Sequence, residues 1–184
     1  MIRKADHNDI DRVEEIYESI FKAQERGELT VGWVRGIYPS RASALEALEL
    51  DELFVLEHGG TVAASARINR TQGEEYRRAS WSTDAPEGQV MVLHTLAVDP
   101  EFRGRGFGKQ FVDFYERFAL ENACPYLRID TNEINAAARR LYARLGYAEA
   151  GIVPCVFNGI PNVNLLCLEK NLLFLSRKSK QKEL

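Results

Sequence analysis

LHTLAVDPEFRGRGFGKQ, residues 93–110, runs from an apolar stretch through a glycine-rich, cationic turn into a helix-like pattern. Gly104, Gly106 and Gly108 are interleaved with Arg103, Arg105 and Lys109, so flexible backbone and bare positive charge stand together at the mouth of a helix. A helix begins with backbone N–H groups that have no internal partner, and its dipole adds partial positive charge there. Glycine lets the chain turn tightly and lets a ligand approach the main chain without meeting a Cβ. A turn serving structure alone gains more from Ser or Asp at the helix start, because either caps better. The turn therefore points to an anion site, with phosphate as its usual occupant.

Two common phosphate motifs do not fit. The turn ends Gly-Lys-Gln at 108–110, so it lacks the Ser or Thr that holds magnesium in a nucleotide phosphate loop. Its glycines at 104, 106 and 108 are also out of register with the dinucleotide pattern GxGxxG, and no acidic residue closes a second strand in the expected context.

Outward from the turn, the pattern is that of a mixed α/β sheet. Residues 90–98 are apolar on both faces and read as a central strand. Residues 104–122 read as a helix with Phe107, Phe111, Phe114, Tyr115 and Phe118 along one side, 126–131 as a buried strand, and 135–145 as a helix stopped by Gly146. Upstream come a strand at 2–5 and a helix capped by Asp6 or Asn8, with Ile10, Val13, Ile16, Tyr17 and Ile20 at helical spacing. An irregular connection at 24–39 leads to a helix at 41–50 capped by Ser40. Strands at 53–57 and 61–69 flank the hairpin signal His58-Gly59-Gly60. Downstream, 147–150, 154–157 and 163–169 are strand material, with a turn at Asn158-Gly159. The polar excursion 70–89 is long enough to imply a job of its own.

The chain has 184 residues, 45% apolar and 28% charged, which suits one domain over 1–172 with a frayed polar tail at 173–184. A net charge of -3 disfavours a nucleic-acid partner. Cys124, Cys155 and Cys167 stand far apart without metal-ligand spacing, so neither a metal site nor a disulfide framework is expected. No signal-like apolar core opens the chain and no run of roughly 18 apolar residues occurs, so the expected setting is cytoplasmic and away from membranes.

Arg103, Gly106 and Gly108 have the spacing Arg-x-x-Gly-x-Gly behind Leu-Ala-Val-Asp-Pro at 96–100, and LRIDTNEINAAARRLYARLGY follows at 127–147. Together these stretches resemble the two signature motifs of the GNAT family of N-acetyltransferases, and the match covers roughly residues 90–150. The resemblance implies a single mixed, mostly antiparallel sheet of six to seven strands flanked by about four helices. It implies acetyl-CoA as acetyl donor, no metal, and direct attack by an amine in a ternary complex. The main chain of Leu96, Ala97 and Val98 should pair with the pantetheine arm as if with an added strand. Arg103, Gly104, Arg105, Gly106, Phe107, Gly108 and Lys109 should hold the pyrophosphate, with Arg105 and Lys109 also reaching the 3′-phosphate. By the same resemblance Asn135 bonds the pantetheine and a main-chain amide near Leu96 receives the oxyanion.

Asn135, Ala138, Tyr142 and Leu145 share one helix face. In the family the matching Tyr faces the sulfur. A phenol of pKa about 10 suits a thiolate whose thiol pKa is about 8.5. The acceptor arrives as an ammonium and must lose a proton. Asp130, His94 and Glu133 are the candidate bases, with water as a further route. His94 falls on the face of Leu96 if no bulge intervenes. Asn69, Gln72, Tyr76, Trp81 and His94 are candidate acceptor contacts. Three readings stand: a small-molecule or peptide N-acetyltransferase, a ribosomal-protein-type N-terminal acetyltransferase, and a non-catalytic acyl-CoA sensor. The last strands, with Cys167, are where a homodimer would form.

Overall fold

Seven strands account for the alternating and doubly apolar segments: β1 (Ile2–Lys4), β2 (Leu53–His58), β3 (Thr61–Asn69), β4 (Val90–Val98), β5 (Tyr126–Asn132), β6 (Ala148–Phe157) and β7 (Ile160–Asn171). Among the described residues four α-helices accompany them: α1 (Ile10–Glu25), α2 (Arg41–Glu49), α3 (Phe107–Glu121) and α4 (Ala136–Arg144). The structure, a computed structural model, describes residues 1–86 and 88–173; beyond Leu173 the expected frayed tail lies outside the described residues. The strands form one sheet in the order β1-β2-β3-β4-β5-β7-β6. Every pairing is antiparallel except that of β4 with β5, as the expected mixed sheet requires.

β4 is buried on both faces, which explains its lack of polar alternation. Met91 and Leu93 pack with Phe111 and Tyr115 of α3, while Val90 and Val92 lie on the opposite face beneath Tyr76. The helices α1 and α2 cover a neighbouring patch that includes Val55, Val62 and Ala97. The buried Tyr115 hydroxyl sits 2.6 Å from the Met91 carbonyl and 3.1 Å from that of Arg128, fastening the parallel pair.

That pair comes apart halfway. β4 and β5 are in register from Val90 opposite Tyr126 to Leu93 opposite Ile129, and no further. Against β3, Arg67 faces His94 and Ser65 faces Ala97, so Thr95 and Leu96 together stand opposite Ala66. This is a β-bulge, and such an extra residue bends a strand and re-aims its side chains. Thr95 takes φ 50 within it. The bulge corrects the expected facing. Leu96 and Val98 turn onto the α3 side with Met91 and Leu93, and His94 stays on the opposite face beside Asn69.

Several element boundaries also differ from the sequence reading. α3 starts at Phe107 rather than 104, because Gly104 and Gly106 both take φ 79, a left-handed backbone that a right-handed helix cannot include. Asn135 precedes α4 as its cap, its side chain accepting from the Ala138 amide at 3.1 Å. Residues 148–157 form one strand with a bulge at Gly151; Pro154 is tolerated because β6 is an edge strand that pairs only with β7, and its outer carbonyls at 150 and 154 accept from the Ser80 N–H and the Arg78 guanidinium. Among the described residues no helix is long and apolar enough to cross a membrane.

Candidate active site

The turn between β4 and α3 is fixed from behind. The buried Asp99 carboxylate accepts from the Glu101 amide at 3.0 Å and from the guanidinium of Arg12 on α1, which also donates to the Val62 carbonyl. In front, Gly106 caps α3 without any side-chain bond. No atom lies within 4 Å of where a Cβ on Gly104 or Gly106 would stand, so their backbone faces open space. Arg103, Gly104, Gly106, Phe107, Gly108 and Lys109 line one end of a groove beside α3 and α4. Leu96, Val98, Asn135, Ala138 and Tyr142 line its continuation. Of the other expected contacts, the side chain of Ala97 is fully buried toward α1, leaving only its main chain, and Arg105 stacks over Phe102 at 5.3 Å.

The groove runs into the gap where β4 and β5 diverge. Leu96, Asn135, Ala138 and Tyr142 line both spaces. The gap opens in turn into a chamber beside α2 and the 70–89 excursion, through Tyr38, His94, Asp130, Phe157 and Asn158, which line both. Groove, gap and chamber are thus one passage across the sheet, with Tyr142 at its waist.

Tyr142 is 4% exposed, and its hydroxyl has no hydrogen-bond partner among the described residues. Burial, and next the negative charge of Asp130, push this phenol above its ordinary value. A phenol so placed keeps its proton and stays a hydrogen-bond donor.

On the chamber side, Asp130 accepts from the Tyr76 hydroxyl at 2.6 Å, and the same carboxylate oxygen lies 3.5 Å from His94 Nδ1. His94 Nε2 sits 3.1 Å from Asn69 Oδ1 and 3.3 Å from the Thr71 carbonyl. The Asn69 amide is itself oriented, donating through Nδ2 to Glu52 at 2.8 Å and accepting the Thr71 N–H at 3.0 Å. Both neighbours of Nε2 are acceptors, so Nε2 carries the hydrogen in a neutral ring and Nδ1 presents a lone pair to Asp130. Glu133 stands apart from this cluster, bonded to the Asn164 side chain at 2.9 Å.

The excursion is pinned down by buried Arg128, whose guanidinium donates to Gln72 and lies 4.0 Å over the Trp81 ring, while Trp81 Nε1 donates to the Tyr76 carbonyl at 2.7 Å. Asn69, Tyr76 and His94 line the chamber, whereas Gln72 and Trp81 line a separate recess on the far side of Tyr76. Sequence reasoning missed Tyr38, Thr95, Glu46 and Arg67. Tyr38 lies in a stretch without periodicity, and the others look like ordinary strand or surface residues. In the chamber wall Arg67 is met by Glu52 at 2.7 Å and Glu46 at 3.2 Å. Glu75 and Asp130, by contrast, face no Lys or Arg within ion-pair distance among the described residues. Among those residues no group of His, Cys, Asp and Glu could hold a metal ion.

Comparison with known proteins agrees with this architecture. Residues 10–147 match the model of the acetyltransferase (GNAT) family. An uncharacterized N-acetyltransferase of Methanocaldococcus jannaschii is 28% identical over 155 residues, 84% of this chain and 81% of that protein. A GNAT-family acetyltransferase from Streptococcus agalactiae superposes with TM-score 0.77 at 25% identity, covering 93% of this chain and 94% of that one. The Salmonella typhimurium acetyltransferase yncA, solved with acetyl-CoA, superposes with TM-score 0.66 at 20% identity, covering 94% of this chain and 93% of that one. The chain belongs to the GNAT acetyltransferase family and is an acetyl-CoA-dependent acyltransferase.

Proposed function

We propose that the protein moves the acetyl group of acetyl-CoA to a primary amine of a cationic small molecule or peptide, by direct attack in a ternary complex. The observation that carries this reading is the passage across the sheet, with an unpartnered phenol at its waist and a proton-accepting pair beyond it. The groove suits the coenzyme: open amides and cations at 103–109 for the phosphates, and the exposed edge of β4 at 96–98 for the pantetheine. When bound, acetyl-CoA supplies an activated thioester. The His94–Asp130 pair takes the proton of the incoming ammonium at Nδ1. The Leu96 N–H, re-aimed by the bulge, stabilises the oxyanion. Tyr142 donates its proton to the departing thiolate and regains one as the acylated nitrogen gives up its second proton through solvent. An acyl-enzyme route is disfavoured: burial, with the charge of Asp130, pushes the Cys167 thiol up to about 12, and the chain is fully closed over it.

The chamber supports a cationic acceptor, since Glu75 and Asp130 present charge that the protein does not neutralise. Thiol release from acetyl-CoA across a panel of diamines, amino acids and peptides tests the reading. Release with small cationic amines is expected. Release with peptides alone would favour a ribosomal-protein-type N-terminal acetyltransferase, and tight binding without release an acyl-CoA sensor. We also infer one acetyltransferase domain over 1–172, a reducing cytoplasmic setting in which the three cysteines stay thiols, and a homodimer formed through the last strands, where Ile152 and Val156 of β6 are exposed. Sedimentation checks the last of these.

A further inference from the structure

Five non-glycine residues take positive φ among the described residues: Asp51, Thr95, Ala123, Asn158 and Asn162. Asp and Asn visit that region readily, but a β-branched residue there is an outlier that its surroundings must hold in place. Thr95 is the one β-branched member of the set, and it is the bulge residue beside the thioester site. Its Oγ1 is hydrogen-bonded to the Tyr38 hydroxyl. Tyr38 is held in turn. Its N–H donates to the Val34 carbonyl at 3.0 Å and its carbonyl accepts from the Val34 N–H at 3.1 Å, closing the α1–α2 loop behind the ring. Among the described residues, no other side-chain hydrogen bond ties this loop to the bulge.

We propose that the Tyr38 hydroxyl is a positioning group, which fixes Thr95 in its left-handed conformation and so aims the Leu96 N–H at the oxyanion. The proposal rests on the acyl-transfer reading of the site. Without the hydroxyl, Thr95 relaxes toward ordinary strand geometry, and the amide that follows it swings with the shared peptide plane. The site is then misaligned rather than dismantled. Acetyl-CoA binding depends on the glycine turn and survives; the chemical step slows.

A double-mutant cycle separates this role from a direct one. Tyr38→Phe keeps the ring and should lower kcat about tenfold, short of the roughly 100-fold or greater loss seen when an oxyanion donor is removed outright. The KM for acetyl-CoA should stay within about twofold. Thr95→Val, which keeps the branch and loses the oxygen, should match it, and Thr95→Ser should not. A glycine in place of Thr95 adopts positive φ without help, so adding Tyr38→Phe to Thr95→Gly should change kcat by less than about twofold. In the free protein, the 15N–1H resonances of residues 95 and 96 should shift in Tyr38→Phe and stay still when the same change is made on Thr95→Gly. Equal kcat losses from Tyr38→Phe in the wild-type and Thr95→Gly backgrounds would assign the hydroxyl to substrate contact and overturn the proposal. So would unmoved resonances, or an unchanged kcat, in Tyr38→Phe. A wild type that releases no thiol sinks the acyl-transfer reading by itself, while the resonances still decide whether Tyr38 holds the bulge.

Discussion

At Tyr142, burial and the neighbouring charge of Asp130 act in the same direction: both favour the neutral phenol. The proton therefore remains available above pH of about 10, where an ordinary tyrosine has begun to lose it. Removing the hydroxyl with Tyr142→Phe should lower kcat about 100-fold, the low end for a lost general acid, and leave the KM for acetyl-CoA nearly unchanged. Steady-state kinetics with the acceptor saturating checks this, and the opposite split would make Tyr142 a packing residue. Its helix face was legible in the sequence, because Asn135, Ala138 and Tyr142 recur at helical spacing. Thr95 was not legible. Neither Gly nor Asn marks the bulge, and threonine ordinarily argues for regular strand, so a shared face for His94 and Leu96 could be expected only on the condition that no bulge intervened, and one does.

The glycine turn and the first strand–helix connection each carry an element-scale prediction. A side chain at Gly106 meets no atom of the protein, but it must take a left-handed backbone, which costs about 1–2 kcal/mol. Gly106→Glu should therefore fold with a modestly lowered melting temperature, while its affinity for acetyl-CoA falls more than about tenfold as a carboxylate enters the phosphate site. Calorimetry and thermal unfolding measure the two effects separately. At the start of α1, the Asp9 carboxylate accepts from Arg3 at 2.7 and 2.9 Å and from the Asp6 N–H at 2.8 Å. Chiefly the Arg3 hydrogen bond holds Asp9 below its ordinary range, although burial opposes this. Since the folded value lies below the unfolded one, the stabilisation is complete above pH of about 4 and is lost as pH falls through the lowered value. Asp9→Asn should cost about 1.5–3 kcal/mol at neutral pH and flatten the acid side of the stability profile, as denaturant titrations at several pH values would show. The element order was readable because the apolar periods are strong. The start of α3 was misplaced because two left-handed glycines precede it.

Across the whole molecule, the working parts come from segments distant in sequence: Tyr38 from a loop, Asn69 from β3, His94 from β4, Asp130 from β5, Tyr142 from α4 and Asn158 from the last hairpin. Only the stretch from β4 to α4 carries local motifs, so the groove could be anticipated as a whole, and the chamber only in part, through Asn69, Tyr76 and His94. Chamber walls depend on which loops meet, and that is decided by long-range packing such as Arg128 stacked on Trp81. Arg128→Ala should free the 70–89 excursion and leave the groove alone. Acceptor KM is expected to rise about tenfold while acetyl-CoA KM holds, a contrast read from initial rates with each substrate varied in turn.

The two carboxylates left without cations in the chamber bear on turnover as well as on capture. On the proposed reading, an ammonium group would be drawn toward Glu75 and Asp130, but once acylated that nitrogen would be an uncharged amide that feels no such pull. Chemistry would thereby cancel the attraction that filled the chamber, and the spent acceptor would drift out without any loop having to eject it.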